Sequence, residues 1–314
     1  MAIAEPIVET KRLAALGRRR RSAWPVAREQ RRTGILFVAV PMLLFVIFAV
    51  APMFFACYLS FTEFKFTRAP TWTGLDNFRL LAQDRVFKIS LQNTAIYTLG
   101  VVPSGMALSL LVALLLNQKI RGIVVFRTAY YLPVVTSTVA SAVVWMWMFA
   151  PDVGILNRAL GIIGLPPQKW LLDTKLALPS VMFMSVWRGL GYSMVIYLAA
   201  LQGIPEHLYE AAEIDGAGAW DKFWRITLPL LKATTFFIFV TSVIDSFQVF
   251  GSVFVMTQGG PGYATTTIVH QIYLNAFKYL RMGYGAAQAL ILFIIIFSLS
   301  MINWFFLRSD VEYW

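Results

Sequence analysis

Arg188 and Asp245 each stand inside a long apolar run, 177–201 and 233–255. In lipid such a charge costs at least about 2.5–3.5 kcal/mol on insertion scales, so each should face a partner or a water-filled cavity. If the two runs cross a membrane in opposite directions, one entering near Ala177 and the other leaving near Val255, the residues lie 11 and 10 positions from the same boundary. At about 1.5 Å per residue both are then roughly 15–17 Å deep, near the midplane. Ser242, Asp245, Ser246 and Val249 recur at i, i+3, i+4 and i+7 and so share one helical face, which is mainly polar. Asp245 could accept protons from hydroxyls or pair with an ammonium group, and Arg188 could grip a hydroxyl, carboxylate or phosphate through its fork of donors. Two arrangements satisfy this pattern: a structural Arg188–Asp245 ion pair, or a cavity pair that also holds a polar or charged solute.

A second chemically distinctive stretch is EAAEIDGAGAWDKFWRITLPLL, residues 210–231. Glu210, Ala211, Ala212 and Glu213 are good helix formers. Gly216 and Gly218 can end or bend that helix because glycine accepts positive φ, and Pro229 suits the first turn of a following helix. A short helix–turn–helix results. Its polar edge carries Glu210, Glu213, Asp215 and Asp221 beside Lys222 and Arg225. Anionic headgroups would repel so acidic a first helix, so a protein partner fits it better than a lipid surface.

The elements that must hold these residues are membrane helices. The chain of 314 residues is 58% hydrophobic and 14% charged, with mean hydropathy +0.66, well to the apolar side of a soluble domain. Six stretches reach the roughly 20 apolar residues that a spanning helix needs: about 36–61, 89–116, 128–149, 177–201, 233–255 and 286–307. An all-α integral membrane protein with six transmembrane helices is expected. Nine Lys/Arg, among them Arg18–Arg21, precede the first span, which is too long and lacks the cleavage site for a secretory signal. With that end inside, sixteen of the 27 basic residues lie inside, ten outside and one within a span, as the positive-inside rule requires. Both termini then face the cytoplasm. The net charge of +11 is read as membrane orientation and not as nucleic-acid binding, because the basic residues flank spans.

Outside segments are expected at 62–88, 150–176 and 256–285, and inside loops at 117–127 and 202–232. Thr257-Gln258-Gly259-Gly260-Pro261-Gly262 is a run that only a loop tolerates, and the segment Thr257–Thr267 is expected to face a partner outside. Trp145, Trp147 and Trp304 fall near span ends, as interfacial aromatics do. The chain divides into a basic segment 1–34, a first helix with its outside loop 35–88, a five-helix core 89–307 carrying the inside loop 204–232, and a tail 308–314.

Catalytic signatures are missing. No G-x-x-x-x-G-K-[ST] loop, G-x-S-x-G elbow or HExxH helix occurs, and with one cysteine, Cys57, and two histidines neither a disulfide framework nor a His-based metal site is expected. An ion-coupled secondary transporter would usually carry ionisable groups along several spans, whereas four of these six carry none. A membrane enzyme acting on lipid substrates would want a cluster of carboxylates or histidines at the interface.

Glu210-Ala211-Ala212, then Gly216, then nine residues to Ile226-x-Leu228-Pro229, resembles the EAA loop of permease subunits in binding-protein-dependent ABC importers. The flanking Leu198–Pro205 and Thr257–Pro261 are similar to the sugar branch, maltose and glycerol-phosphate permeases among them, and the likeness covers about 36–307. The resemblance implies a type I importer permease fold of the bacterial plasma membrane. It implies a non-catalytic subunit working with a second homologous permease, two cytoplasmic ATPase subunits that bind ATP and Mg, and an extracytoplasmic binding protein. It implies coupling through Glu210, Ala211, Ala212, Glu213, Asp215 and Gly216, and alternating access by rigid-body rocking. It further implies that Thr138, Arg188, Gly189, Tyr192, Ser242, Asp245, Ser246 and Val249 line the solute pathway. Charges at two of those positions depart from the maltose pattern. The implied cargo is a carbohydrate or related polar solute, with an amino acid or peptide as the alternative.

Overall fold

A computed structural model describes residues 30–65, 68–118 and 121–307, without the side chains of 303–307. The arginine run 18–21, the tail 308–314 and the Trp304 ring therefore lie outside the described residues. The chain falls into two compact units, 1–58 and 59–314. The first is carried by α1, Gln30–Ser60, interrupted by a π-helical turn at Val46–Val50. Most of its apolar side chains, Phe37 and Phe48 among them, are exposed.

The second unit starts with an antiparallel two-stranded ribbon, β1 Thr62–Glu63 against β2 Thr71–Trp72. Helices α2 Asp76–Gln83, α3 Arg85–Leu116, α4 Ile123–Val135, α5 Thr138–Met148, α6 Ile155–Ile162 and α7 Ala177–Gln202 follow. The loop helices are α8 Glu206–Ile214 and α9 Ala219–Lys222, which runs on through a π-helical turn Phe223–Thr227 and Leu228–Leu230. The chain closes with α10 Lys232–Phe247, α11 Gly251–Met256, α12 Ile268–Tyr273 with a π-helical turn Leu274–Lys278, and α13 Met282–Leu307. Among the described residues, five helices are long and apolar enough to span a membrane, and a sixth candidate is a bent pair.

That bent pair corrects the expectation of one straight third span at 128–149. α4 and α5 meet at 102°, with Thr136 and Ser137 extended between them. Pro133 inside α4 has no amide to donate to the preceding turn, which weakens the helix there. The Thr136 hydroxyl donates to the Pro133 carbonyl at 2.7 Å and lies 2.9 Å from the Ser141 hydroxyl, supplying polar partners at the break. The turn also changes the place of Trp145. It is not an interfacial ring but is 5% exposed, 5.3 Å from Phe183 and 5.4 Å from Phe149 and Trp187. Trp147, 75% exposed, projects outward.

α3 and α7 pack along their length and both touch α10. One apolar cluster joins Tyr97, Trp145, Met184 and Val253, a second joins Val112, Met194, Tyr197 and Ile238, and a third joins Phe87, Phe247 and Tyr284. Where α4 crosses α7, a Cβ on Gly191 would stand 2.3 Å from the Tyr130 carbonyl oxygen and 2.9 Å from the Tyr131 Cα, so the backbones touch there. Asp84 ties both ends of the chain's core together. Its Oδ1 caps α3 by accepting from the Val86 amide at 2.7 Å and the Phe87 amide at 3.2 Å, while its Oδ2 accepts the Tyr284 hydroxyl of α13 at 2.6 Å.

Candidate transport cavity and coupling loop

A cavity of about 470 Å³ opens between α3, α4, α5, α7, α10 and α11. Thr138, Arg188, Gly189, Tyr192, Ser242, Asp245, Ser246 and Val249 all line it. Two breaks in regular structure bring them together. The α4–α5 bend sets Thr138 at the first position of α5. The chain leaves the helix between Phe247 and Gly251, so Gln248, Val249 and Phe250 present irregular backbone to the cavity. Such backbone is tolerated at membrane depth only where it lines a cavity or is buried in protein. It is held by the Gln248 amide, which reaches the carbonyls of Ile244 and Asp245 at 3.2 Å, and by the Thr267 hydroxyl, which donates to the Val249 carbonyl at 3.0 Å. Gly251 sits close to Thr138, leaving a Cβ there 3.4 Å from the threonine methyl.

No ion pair joins Arg188 to Asp245 among the described residues. The Arg188 Nε is buried and has no hydrogen-bond partner, and Asp245 is exposed. The two charges line one chamber without neutralising each other, so each is left to water or a solute. Tyr97, Ser185, Ser193, Gln248, Phe250 and Ser252 also line it and were not singled out from the sequence. Ser185 and Ser193 had a legible signal, since 185, 188, 189, 192 and 193 fall on one helical face. Tyr97 and Ser252 enter only through packing of α3 and through the α10–α11 break.

The other predicted residues form the loop at the opposite end of α10. Glu206–Ile214 is helical, and Gly216 stops it with φ of 81°. The Ala217 amide donates to the Ala212 carbonyl at 2.8 Å and the Gly216 amide to the Glu213 carbonyl at 3.0 Å, the paired closure of a Schellman motif. Lys222 Nζ then grips Glu213 at 2.5 Å, and the Tyr209 and Thr227 hydroxyls lie 3.0 Å apart. The Lys222 hydrogen bond, then its charge, holds the Glu213 carboxyl below its usual range. Glu210 and Asp215 are exposed without a side-chain partner among the described residues, and Ile214 at the tip is 88% exposed. The loop is thus a braced hairpin of helices offering two free carboxylates and an apolar knob. No group of three or more metal-ligating side chains occurs among the described residues.

Residues 105–307 match the family described as "Binding-protein-dependent transport system inner membrane component". That range contains the whole loop 204–232 and all of the cavity lining except Tyr97 and Val101. The chain is 34% identical over 292 residues to the probable ABC transporter permease protein YesP of Bacillus subtilis (strain 168), covering 91% of this chain and 93% of that one. It is 35% identical over 283 residues to the sn-glycerol-3-phosphate transport system permease protein UgpA of Agrobacterium fabrum, covering 88% and 95%. A chain of the bacterial ABC transporter that imports the acidic polysaccharide alginate superposes with a TM-score of 0.80 at 24% identity, over 91% of this chain and 99% of that one, and so shares its fold. The chain belongs to the inner membrane components of binding-protein-dependent transport systems, the membrane-spanning permeases of ABC transporters.

Proposed function

We propose that this permease moves a carbohydrate or related polar solute into the cell, accepting it from an extracytoplasmic binding protein and working by alternating access driven by a separate ATPase. The observation that carries the reading is mechanical. α10 reaches from the braced loop at one end to the Asp245 face of the cavity at the other, so a push on the loop moves the chamber wall. Glu210, Ala211, Ala212, Glu213, Asp215 and Gly216 are assigned to the ATPase contact. The eight cavity residues are assigned to the solute, with Arg188 and Asp245 as its charged contacts. The name of the Agrobacterium relative, a glycerol-3-phosphate permease, agrees with a hydroxylated cargo. This chain would bind no cofactor, ATP and Mg being held by two cytoplasmic ATPase subunits. A second, homologous permease would complete the complex in the bacterial inner membrane, with both termini of this chain cytoplasmic.

The test is uptake into vesicles holding this chain, its partner permease and the ATPase, with the binding protein added outside. Uptake should require ATP and each added subunit. Uptake driven by an ion gradient alone would overturn the reading.

A further inference from the structure

At the end of α11, the side opposite the coupling loop, lies a second cavity of about 520 Å³ that no part of the proposed cycle uses. One wall is the glycine-rich turn, held rigid by its threonines. The Thr266 hydroxyl donates to the Gly259 carbonyl at 3.0 Å, the Thr265 hydroxyl to the Gly260 carbonyl at 2.7 Å, and the Thr257 and Thr265 hydroxyls meet at 2.7 Å. Asn93 of α3 clamps the turn from below, its Nδ2 donating to the carbonyls of Tyr263 at 2.8 Å and Thr266 at 3.0 Å. The facing wall is α12 and its π-helical turn, an irregularity often found at functional sites.

Between these walls stand aromatic faces, a cation and an orphaned imidazole. Phe254, Tyr263, Tyr273 and Tyr279 line the space with His270 and Lys278. His270 is 2% exposed, and its Nδ1 is buried without a hydrogen-bond partner. A buried polar atom left unpaired is costly and calls for a ligand or water. Burial first, then the charge of Lys278, holds the imidazole below its usual pKa, so at neutral pH the ring is uncharged. Among the described residues, Lys278 is exposed and makes no ion pair, and no acidic side chain lines the cavity. Aromatic platforms with a few directional polar groups suit a hydroxyl-rich molecule, and the lone ammonium selects one that also bears an anion.

The two cavities share a partition. Phe250 lines the central chamber, and its ring lies 5.1 Å from Phe254 and 5.2 Å from Tyr273, both of which line the outer one. A single aromatic layer separates them.

We propose that the cavity of His270 and Lys278 is a second, outer binding site for the cargo, which takes a hydroxylated solute carrying a carboxylate or phosphate before it crosses the Phe250 layer into the central chamber. This rests on the reading of the central chamber as the solute pathway. The competing occupant is a side chain of the docked binding protein.

The test places a thiol at the rim, Tyr279→Cys in a Cys57→Ser background, with Tyr263→Cys as a second reporter should the first assemble poorly. The assembled transporter in nanodiscs is labelled with a thiol reagent while galacturonate, galactose, glycerol 3-phosphate or glycerol is added. At about ten times its dissociation constant, an anionic probe should slow labelling about tenfold by mass action, its neutral counterpart far less. Lys278→Gln should erase that difference. No protection by either anionic probe, equal protection by the neutral ones, or protection by unliganded binding protein alone would overturn the proposal. An Arg188→Met complex separates the two readings, because it should lose uptake while keeping the outer protection. Normal uptake in that variant would strike at the central reading only.

Discussion

Arg188 and Asp245 carry the sharpest test at the scale of single residues. A structural pair predicts that Arg188→Met or Asp245→Asn alone is unstable and that the double variant recovers. With no ion pair between them, the expected outcome is the reverse: folded complexes that still dock the binding protein, with uptake lost in each single variant, in the double and in the charge swap. Size-exclusion profiles and vesicle uptake decide it, and wild-type uptake in all four would remove both residues from the pathway. Asp84 makes a different prediction, about stability. Asp84→Ala removes a helix cap, at about 0.5–2 kcal/mol, together with a hydrogen bond to a carboxylate, at roughly 1.5–3 kcal/mol. Tyr284→Phe loses only the second. Thermal unfolding in detergent should rank the alanine variant below the phenylalanine one, and equal midpoints would mean that the cap contributes nothing. The shared depth of Arg188 and Asp245 was legible because rise per residue converts sequence position into depth. Tyr97 was not, because an apolar ring on an apolar helix says nothing of which neighbour it meets.

At the scale of elements, the proposed cycle requires the braced hairpin α8–α9 to transmit force without yielding. Gly216 needs its left-handed φ of 81° to close the Schellman motif, and proline there would remove the amide that donates to Glu213 as well. Gly216→Pro and Glu210→Lys should therefore leave the chain in the membrane but lose co-purification of the ATPase or its stimulation by cargo. Normal stimulation in both would contradict the assignment. The Lys222–Glu213 bridge sets the pH behaviour of this element. Since the Glu213 carboxyl is held below its ordinary value of 4.5, the bridge is complete above that value and is lost as pH falls through the lowered one. Glu213→Gln should then change stimulation by the same factor across the neutral range, and a difference that grew between mildly acidic and mildly alkaline buffer would count against this ordering. Helix identity here was readable from glycine, proline and the run of helix formers. The 102° bend between α4 and α5 was not, although Pro133 marked a weak point. A proline in an apolar run is compatible with a straight, kinked or broken span, and packing against α7 decides among them.

For the whole molecule, the exposed polar surface of the central chamber fits the second chain of the proposed assembly. Asp245 and Gln248 are exposed and Tyr192 is 49% exposed, yet all three line the central chamber. In a solitary subunit within a bilayer, that face would meet lipid, and a charge there costs at least about 2.5–3.5 kcal/mol. That is a large share of the roughly 5–15 kcal/mol that holds a typical protein together. A homologous permease related by a pseudo-twofold axis would cover the face and leave a water-filled path between the two chains, as the importer reading requires. The expected consequence is dependence on the partner. Expressed alone, this chain should be short-lived in pulse-chase, and co-expression with the partner permease should lengthen its half-life. Asp245→Leu should lengthen the half-life of the solitary chain while abolishing uptake in the assembled one. Partner-free stability equal in wild type and Asp245→Leu would show that the face is not presented to lipid. Purification of a transport-competent complex with this permease alone would replace the heterodimer with a pair of identical chains.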